Sequence, residues 1–141
     1  MTADKQMVDD VVRIVKEKGC ENDVVLVSLK YDIMEYAEKV YGDMDTGVLC
    51  FGGFGNVANM HVDYILMEEE MAGTFVDQVE SNNKTSGVWT VNTERGMIKA
   101  FDMGADTIIT DDINLYYKVK TQLNDRTDFQ VLQDWCISLY E

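Results

Sequence analysis

Residues 87–112 read Gly-Val-Trp-Thr-Val-Asn-Thr-Glu-Arg-Gly-Met-Ile-Lys-Ala-Phe-Asp-Met-Gly-Ala-Asp-Thr-Ile-Ile-Thr-Asp-Asp. Val88, Val91 and the β-branched Thr90 form a short run that begins at Gly87, and Thr107-Ile108-Ile109-Thr110 forms another after Gly104-Ala105-Asp106. Runs of this length, rich in β-branched residues and bounded by turn residues, read as buried strands. Between them Met97, Ile98 and Phe101 recur at helical spacing and leave Glu94, Arg95 and Lys99 for solvent. A parallel strand pair joined by a helix follows. Both strands end in polar residues, Asn92 on one and Asp111-Asp112 on the other. In α/β sheets ligands sit beyond the carboxyl ends of strands, so these ends are where chemistry is expected.

The same grammar repeats upstream. A helix over 5–18 carries Met7, Val8, Val11, Val12 and Val15 on one face, Gly19 stops it, and Asp23 leads into a strand over 24–29. Ile33, Met34, Ala37 and Val40 predict the next helix, Gly42-Asp43 breaks it, and Thr46 to Phe51 predicts the next strand, closed by Gly52-Gly53. Tyr64-Ile65-Leu66-Met67 predicts a strand that ends in Glu68-Glu69-Glu70, before a helix near 72–82 built on Phe75, Val76 and Val79. No hairpin signal separates any two of these five strands. The fold class is therefore α/β, with parallel strands alternating with helices through right-handed crossovers.

Length and composition bound the function. A chain of 141 residues with 46% apolar content is expected to be a single domain with a core of its own, 1–112 forming the strand–helix units and 113–141 carboxyl-terminal helices. No apolar run approaches the roughly 20 residues of a membrane span, and the amino terminus has no signal-peptide architecture. The expectation is a soluble chain. Cys20, Cys50 and Cys136 are odd in number and lack ligand-like spacing, which points to a reducing compartment such as the cytoplasm. A formal net charge of −14 and scattered basic residues argue against a nucleic-acid partner, since affinity for phosphate backbones comes from clustered Lys and Arg.

Trp89-Thr-Val-Asn92, followed at matching spacing by Gly104-Ala-Asp106 and Ile109-Thr-Asp111, resembles the last two strands of the glycerophosphodiester phosphodiesterase family. Val27-Ser28-Leu29 with Tyr31 looks like that family's fourth strand and Gly47-Val48-Leu49 like its fifth. Asp63-Tyr64 with Glu68 looks like the sixth, in a form similar to members that carry a separate membrane region, so a membrane-attached parent is compatible with it. The resemblance spans residues about 5–115. It implies the carboxyl-terminal five strand–helix units of a TIM (β/α)8 barrel, incomplete as a closed barrel.

The activity implied is metal-dependent hydrolysis of a glycerophosphodiester to glycerol 3-phosphate and an alcohol. In the family a divalent metal, calcium or magnesium, is held by carboxylates, two histidines act as base and acid, and an arginine binds phosphate. Those groups belong to a His-Arg-Gly segment, a Glu-Asn-Thr segment, a Glu-x-Asp strand and a Glu-x-Lys strand of the first three barrel units; no His-Arg-Gly, Glu-Asn-Thr or Glu-x-Lys segment occurs in this sequence, and its one Glu-x-Asp string, Glu21-Asn22-Asp23, precedes the strand over 24–29 and does not form one. The expectation is that this chain carries no catalytic residue, binds no cofactor by itself and is inactive alone. Its one histidine, His61, reads as a surface residue.

The wall of the substrate site remains. Three substrate-binding residues are expected: Trp89 against the glycerol moiety, unless it is ordinary barrel filling; Ser28 as a donor near the phosphate, unless it serves only the backbone; and Glu68 as an acceptor for a sugar or glycerol hydroxyl. Asp111 and Asp112 with Glu68 form a weaker metal candidate for want of a histidine or further ligands. Gly52-Gly53-Phe54-Gly55-Asn56 resembles a phosphate-cradling loop but lacks the Lys-Ser/Thr ending of a P-loop. A last helix, capped by Asp128 and carrying Leu132, Trp135, Cys136 and Leu139, would cover surface.

Five barrel strands leave two edges, at 24–29 and 107–110, both prone to pair. The partners this implies are a missing amino-terminal barrel half or a second copy joined through those edges. The alternative function is a non-catalytic α/β module that binds a phosphorylated ligand or a protein partner.

Overall fold

A computed structural model of the chain describes residues 3–52 and 57–125. Five α-helices and five strands alternate except between β2 and β3, which only a 3-10 turn over Val57–Asn59 separates: α1 Ala3–Lys18, β1 Leu26–Ser28, α2 Tyr31–Val40, β2 Thr46–Cys50, β3 Tyr64–Glu68, α3 Val76–Glu80, β4 Thr85–Trp89, α4 Glu94–Asp102, β5 Thr107–Ile108 and α5 Ile113–Asn124. The strands form one parallel sheet in the order β1-β2-β3-β4-β5. The predicted fold class is thus the observed one, an open sheet of consecutive parallel strands.

Consecutive order decides where the helices go. When each strand pairs with the next in sequence and every crossover has the same hand, all the crossover helices land on one face of the sheet. The pleat confirms it. Val48, Cys50, Ile65, Met67 and Val88 join Val12, Ile33, Ala37, Val79, Met97, Ala100 and Val119 in a single buried core. Each fully buried Val, Leu, Ile or Met in that layer stabilises the fold by about 1.5–3 kcal/mol. Alternate residues Val27, Leu49, Leu66 and Trp89 face the other way, which in a closed barrel is the interior.

Two buried hydroxyls tie strands to helices. Thr46 Oγ1 donates to Glu38 Oε2 at 2.7 Å, and Ser86 Oγ donates to Glu80 Oε1 at 3.2 Å. Across the sheet's helical face Asp9 Oδ1 accepts the hydroxyls of Tyr36 and Tyr41, both at 2.8 Å, and so fastens α1 to α2.

Several boundaries differ from the sequence expectation. The first strand is shorter than 24–29 and the last shorter than 107–110, as befits edges, although Ile109 still donates to Val88 and accepts from Val91, both at 2.9 Å. β4 begins at Thr85 rather than Gly87, because Asn83 takes the left-handed turn conformation with φ 56° and frees the chain to extend earlier. The helix expected over 72–82 is a 3-10 turn over Glu69–Thr74 followed by the short α3. Val40, expected on the core face of α2, is 49% exposed, and Met7 and Val11 are exposed while Val8 and Val12 are buried. The buried stripes are narrower because no described helix flanks α1 on its outer side or fills the β2-to-β3 crossover. Most of the 52–56 loop and the helix expected after Asp128 lie outside the described residues.

Candidate functional site

The carboxyl ends of all five strands meet at one rim, since the strands are parallel. Trp89 closes β4 there, half-buried, and its Nε1–H donates to the carbonyl of Leu66 at 2.9 Å, which fixes the indole plane over β3. The peptide that follows it, Trp89-Thr90, is cis. Glu68 closes β3 directly in register with Trp89. Its Oε2 accepts the N–H of Glu70 at 3.1 Å, so the carboxylate is held against the start of the next turn. Two of the three expected site residues are therefore neighbours at the rim.

Ser28 is further away, at the end of the edge strand β1 and two strands from β3. Its Oγ accepts the N–H of Lys30 at 3.1 Å and so organises the turn into α2. That bond uses a lone pair and leaves the hydroxyl proton for another acceptor. Alternation with Leu26, which packs on the helical core, sets Ser28 toward the helix side of the rim.

Sequence reading missed Phe51. It follows β2 by one residue, and its ring meets Trp89 at 4.9 Å between centroids with the planes inclined at 71°. β2 and β4 are separated by β3, so both rings must lie over the carboxyl end of that middle strand. The signal was present: Gly47, Leu49 and Phe51 alternate with the core residues Val48 and Cys50.

Beside them a polar cluster joins the last two strand ends. Asn92 Nδ2 donates to Asp111 Oδ2 at 2.7 Å, and Asn92 Oδ1 accepts the Asp111 N–H at 2.9 Å and the Thr110 hydroxyl at 3.2 Å. Asp112 caps α5 by accepting the N–H of Leu115 at 3.0 Å. These carboxylates are committed to holding loops. Among the described residues no group of three or more His, Cys, Asp and Glu side chains is arranged to hold a metal. Glu68, Asp111 and Asp112 do not assemble the ligand set that a divalent cation requires, and no step through a metal follows from them.

Other reactive groups stand elsewhere. Burial pushes the Cys50 thiol up to about 12, so it is a core residue and not a nucleophile. His61 precedes β3, at the opposite rim, exposed, with Nδ1 3.8 Å from Glu35 Oε1. A groove of about 1010 Å³ runs there along α2, lined by Asp32, Glu35, Glu38, Lys39, His61 and Lys84 among others. Its mixed charges and its distance from the strand ends set it apart from the rim.

The fold and this rim can be compared with known proteins. Residues 1–115 match the model of the glycerophosphoryl diester phosphodiesterase family. No curated protein matches the sequence. Among solved structures, one described as a glycerophosphoryl diester phosphodiesterase from Silicibacter pomeroyi superimposes with a TM-score of 0.77 at 17% identity, covering 86% of this chain and 45% of that one. A glycerophosphodiester phosphodiesterase from Parabacteroides distasonis gives 0.72 at 20% identity, covering 87% and 52%. A phosphodiesterase from Oleispira antarctica in complex with its product sn-glycerol-3-phosphate gives 0.69 at 12% identity, covering 86% and 51%. The chain thus spans about half the length of the solved structures it matches. No helix among the described residues is long and apolar enough to cross a membrane. With a family match across most of its length and a sheet laid out as theirs is, the chain belongs to the glycerophosphoryl diester phosphodiesterase family.

Proposed function

We propose that this chain is the carboxyl-terminal wall of a glycerophosphodiester phosphodiesterase site, inactive alone and active when three further strand–helix units complete the barrel in cis or in trans. One observation carries this reading: the surfaces that such units would cover are apolar and exposed. On α1, Met7, Val11 and Ile14 make an exposed stripe at helical spacing, and on the adjacent edge strand Val27 is 41% exposed with Leu29 exposed beyond it. A helix packed on that stripe and a strand paired to β1 would continue the alternation already present. Self-association through the same edges would bring together two chains of net charge −14, which opposes it.

In the completed site Trp89 offers its indole face to the glycerol carbons and Glu68 accepts a glycerol hydroxyl, while Ser28, on the helix side of the rim, serves the turn into α2 and not the phosphate. The divalent metal, base and acid come from the completing units; in support of this, no group of carboxylates among the described residues is arranged to hold a metal. The test is co-expression with the amino-terminal half of a family member that carries the His-Arg-Gly and Glu-x-Asp segments. Release of glycerol 3-phosphate from a glycerophosphodiester, in calcium or magnesium, should require both halves and fall at least tenfold in Trp89→Ala. Turnover by this chain alone overturns the reading, as does a well-formed assembly that lacks turnover. Glycerol 3-phosphate binding by such an inert assembly would favour the non-catalytic binding module.

A further inference from the structure

Gly96 is buried within the first turn of α4, where glycine is a poorer helix former than alanine. The space that a side chain would take there is filled by Glu69. A Cβ on Gly96 would collide with Glu69 Oε1 and stand 2.9 Å from its Cδ. The seat suits a carboxylate. Thr93 caps this turn by accepting the Gly96 N–H at 3.0 Å, and the positive end of the helix dipole favours negative charge beside it. The three consecutive glutamates thus have three different settings. Glu68 holds the Glu70 N–H, Glu69 is half-buried on α4, and Glu70 is exposed.

This contact closes a circuit around the candidate site. Glu69 directly follows Glu68 at the end of β3, and Gly96 belongs to the helix that the chain enters four residues beyond Trp89. Trp89 is in register with Glu68 and donates its indole N–H to Leu66, again on β3. The end of β3, its following turn, the start of α4 and the end of β4 are therefore joined in a ring. We propose that Glu69 is a positioning residue of the rim: seated on Gly96, its carboxylate fixes where the Glu68 carboxylate and the Trp89 indole stand relative to each other. It acts through those two side chains and not on the substrate. That they hold the glycerol rests on the proposed function; the seat on Gly96 does not.

The test reads two signals of the ¹⁵N-labelled full chain: the Glu70 amide, which Glu68 holds, and the Trp89 indole N–H, assigned by its loss in Trp89→Phe. Gly96→Ala should expel Glu69, speed hydrogen exchange at the Glu70 amide about tenfold and shift the indole signal. Glu69→Ala should shift the indole signal in the same direction, and this variant keeps the test open if Gly96→Ala does not fold. Made together, the two changes should move the indole signal no further than Glu69→Ala alone. Their urea midpoint should be no lower than that of Glu69→Ala, because alanine then fits α4 better than glycine does. Glu70 and indole signals that stay put in both single variants overturn the positioning role, and additive losses in the pair overturn the seat. In the completed barrel Glu69→Ala should raise KM for a glycerophosphodiester about five- to tenfold and leave kcat within about twofold. An unchanged KM there overturns the positioning role. Absence of turnover in the unsubstituted barrel sinks the proposed function instead, and the two signals of the chain alone still decide the role of Glu69.

Discussion

The Asp63 carboxylate accepts the backbone N–H of Thr46 at 2.9 Å, reaching from the residue before β3 back to the first residue of β2. Asp106, the residue before β5, does the same to Ser86 in β4 at 3.1 Å. The parallel is wider still, since the buried hydroxyls of Thr46 and Ser86 both reach a glutamate on the preceding helix. Every second strand is thus pinned at its amino end by the aspartate of the next unit, which sets the sheet's register and hence the level at which the carboxyl ends reach the rim.

Removing either pin leaves a strand N–H without its charged acceptor. Asp63→Ala and Asp106→Ala should each destabilise the chain by about 1–3 kcal/mol in urea unfolding. Asp63→Asn should lose less, because an amide oxygen can accept the same N–H. Equal losses in Asp63→Ala and Asp63→Asn would show that the N–H bond is not what the side chain contributes.

Close approach of β4 to its neighbours depends on a missing side chain. A Cβ at Gly87 would collide with Leu66 Cδ2 and sit 3.2 Å from the carbonyl oxygen of Thr107. Gly87→Ala should therefore cost about 1–3 kcal/mol through overpacking. Leu66→Ala made together with it should cost less than the sum of the two single changes, measured by the same urea midpoints. Strict additivity would mean that the two side chains do not share the space.

Much of the architecture was legible because the signals were local. The five strand runs, the helices between them and the stops at Gly19 and Gly104, both at positive φ, could be read without tertiary information. Trp89 and Glu68 could be placed at strand ends for the same reason. In sequence Gly87 reads as a boundary, whereas it lies inside β4 to admit Leu66, a requirement that only the neighbouring strand reveals. Phe51 escaped notice because its partner stands two strands away, and continuous apolar runs hide which residues face the barrel interior. Val40 and the outer flank of α1 carry an apolar pattern whose partner is not among the described elements, so their periodicity overstated their burial.

The clasp between α1 and α2 gives the chain a pH dependence with a definite sign. Tyr41 is pushed up to about 12 by its hydrogen bond to Asp9, by desolvation and by the Asp9 charge; Tyr36 is raised from the same causes. Above the ordinary tyrosine value of about 10 the unfolded chain loses these protons while the folded chain keeps them. The clasp's contribution is therefore fully present below pH of about 10 and is lost as pH rises toward 12. Urea stability should fall with pH across that window, and more shallowly in Tyr41→Phe. An identical fall in the variant would assign the effect to other groups.

The exposed flank of α1 yields the sharpest distinction between a face left for packing and one meant for water. Met7, Val11 and Ile14 contribute little to the core in the described residues, so replacing all three by Gln should change the urea stability of this chain by no more than about 1 kcal/mol, the range expected of surface positions. The same triple variant should lose at least tenfold in affinity for a completing amino-terminal half, because a helix packed there would bury each of these side chains at about 1.5–3 kcal/mol. Sedimentation of the two halves together measures the second quantity, and urea unfolding of the chain alone the first. A large loss of intrinsic stability would place the stripe against part of this same chain, and unaltered association would move the completing interface to the β5 edge.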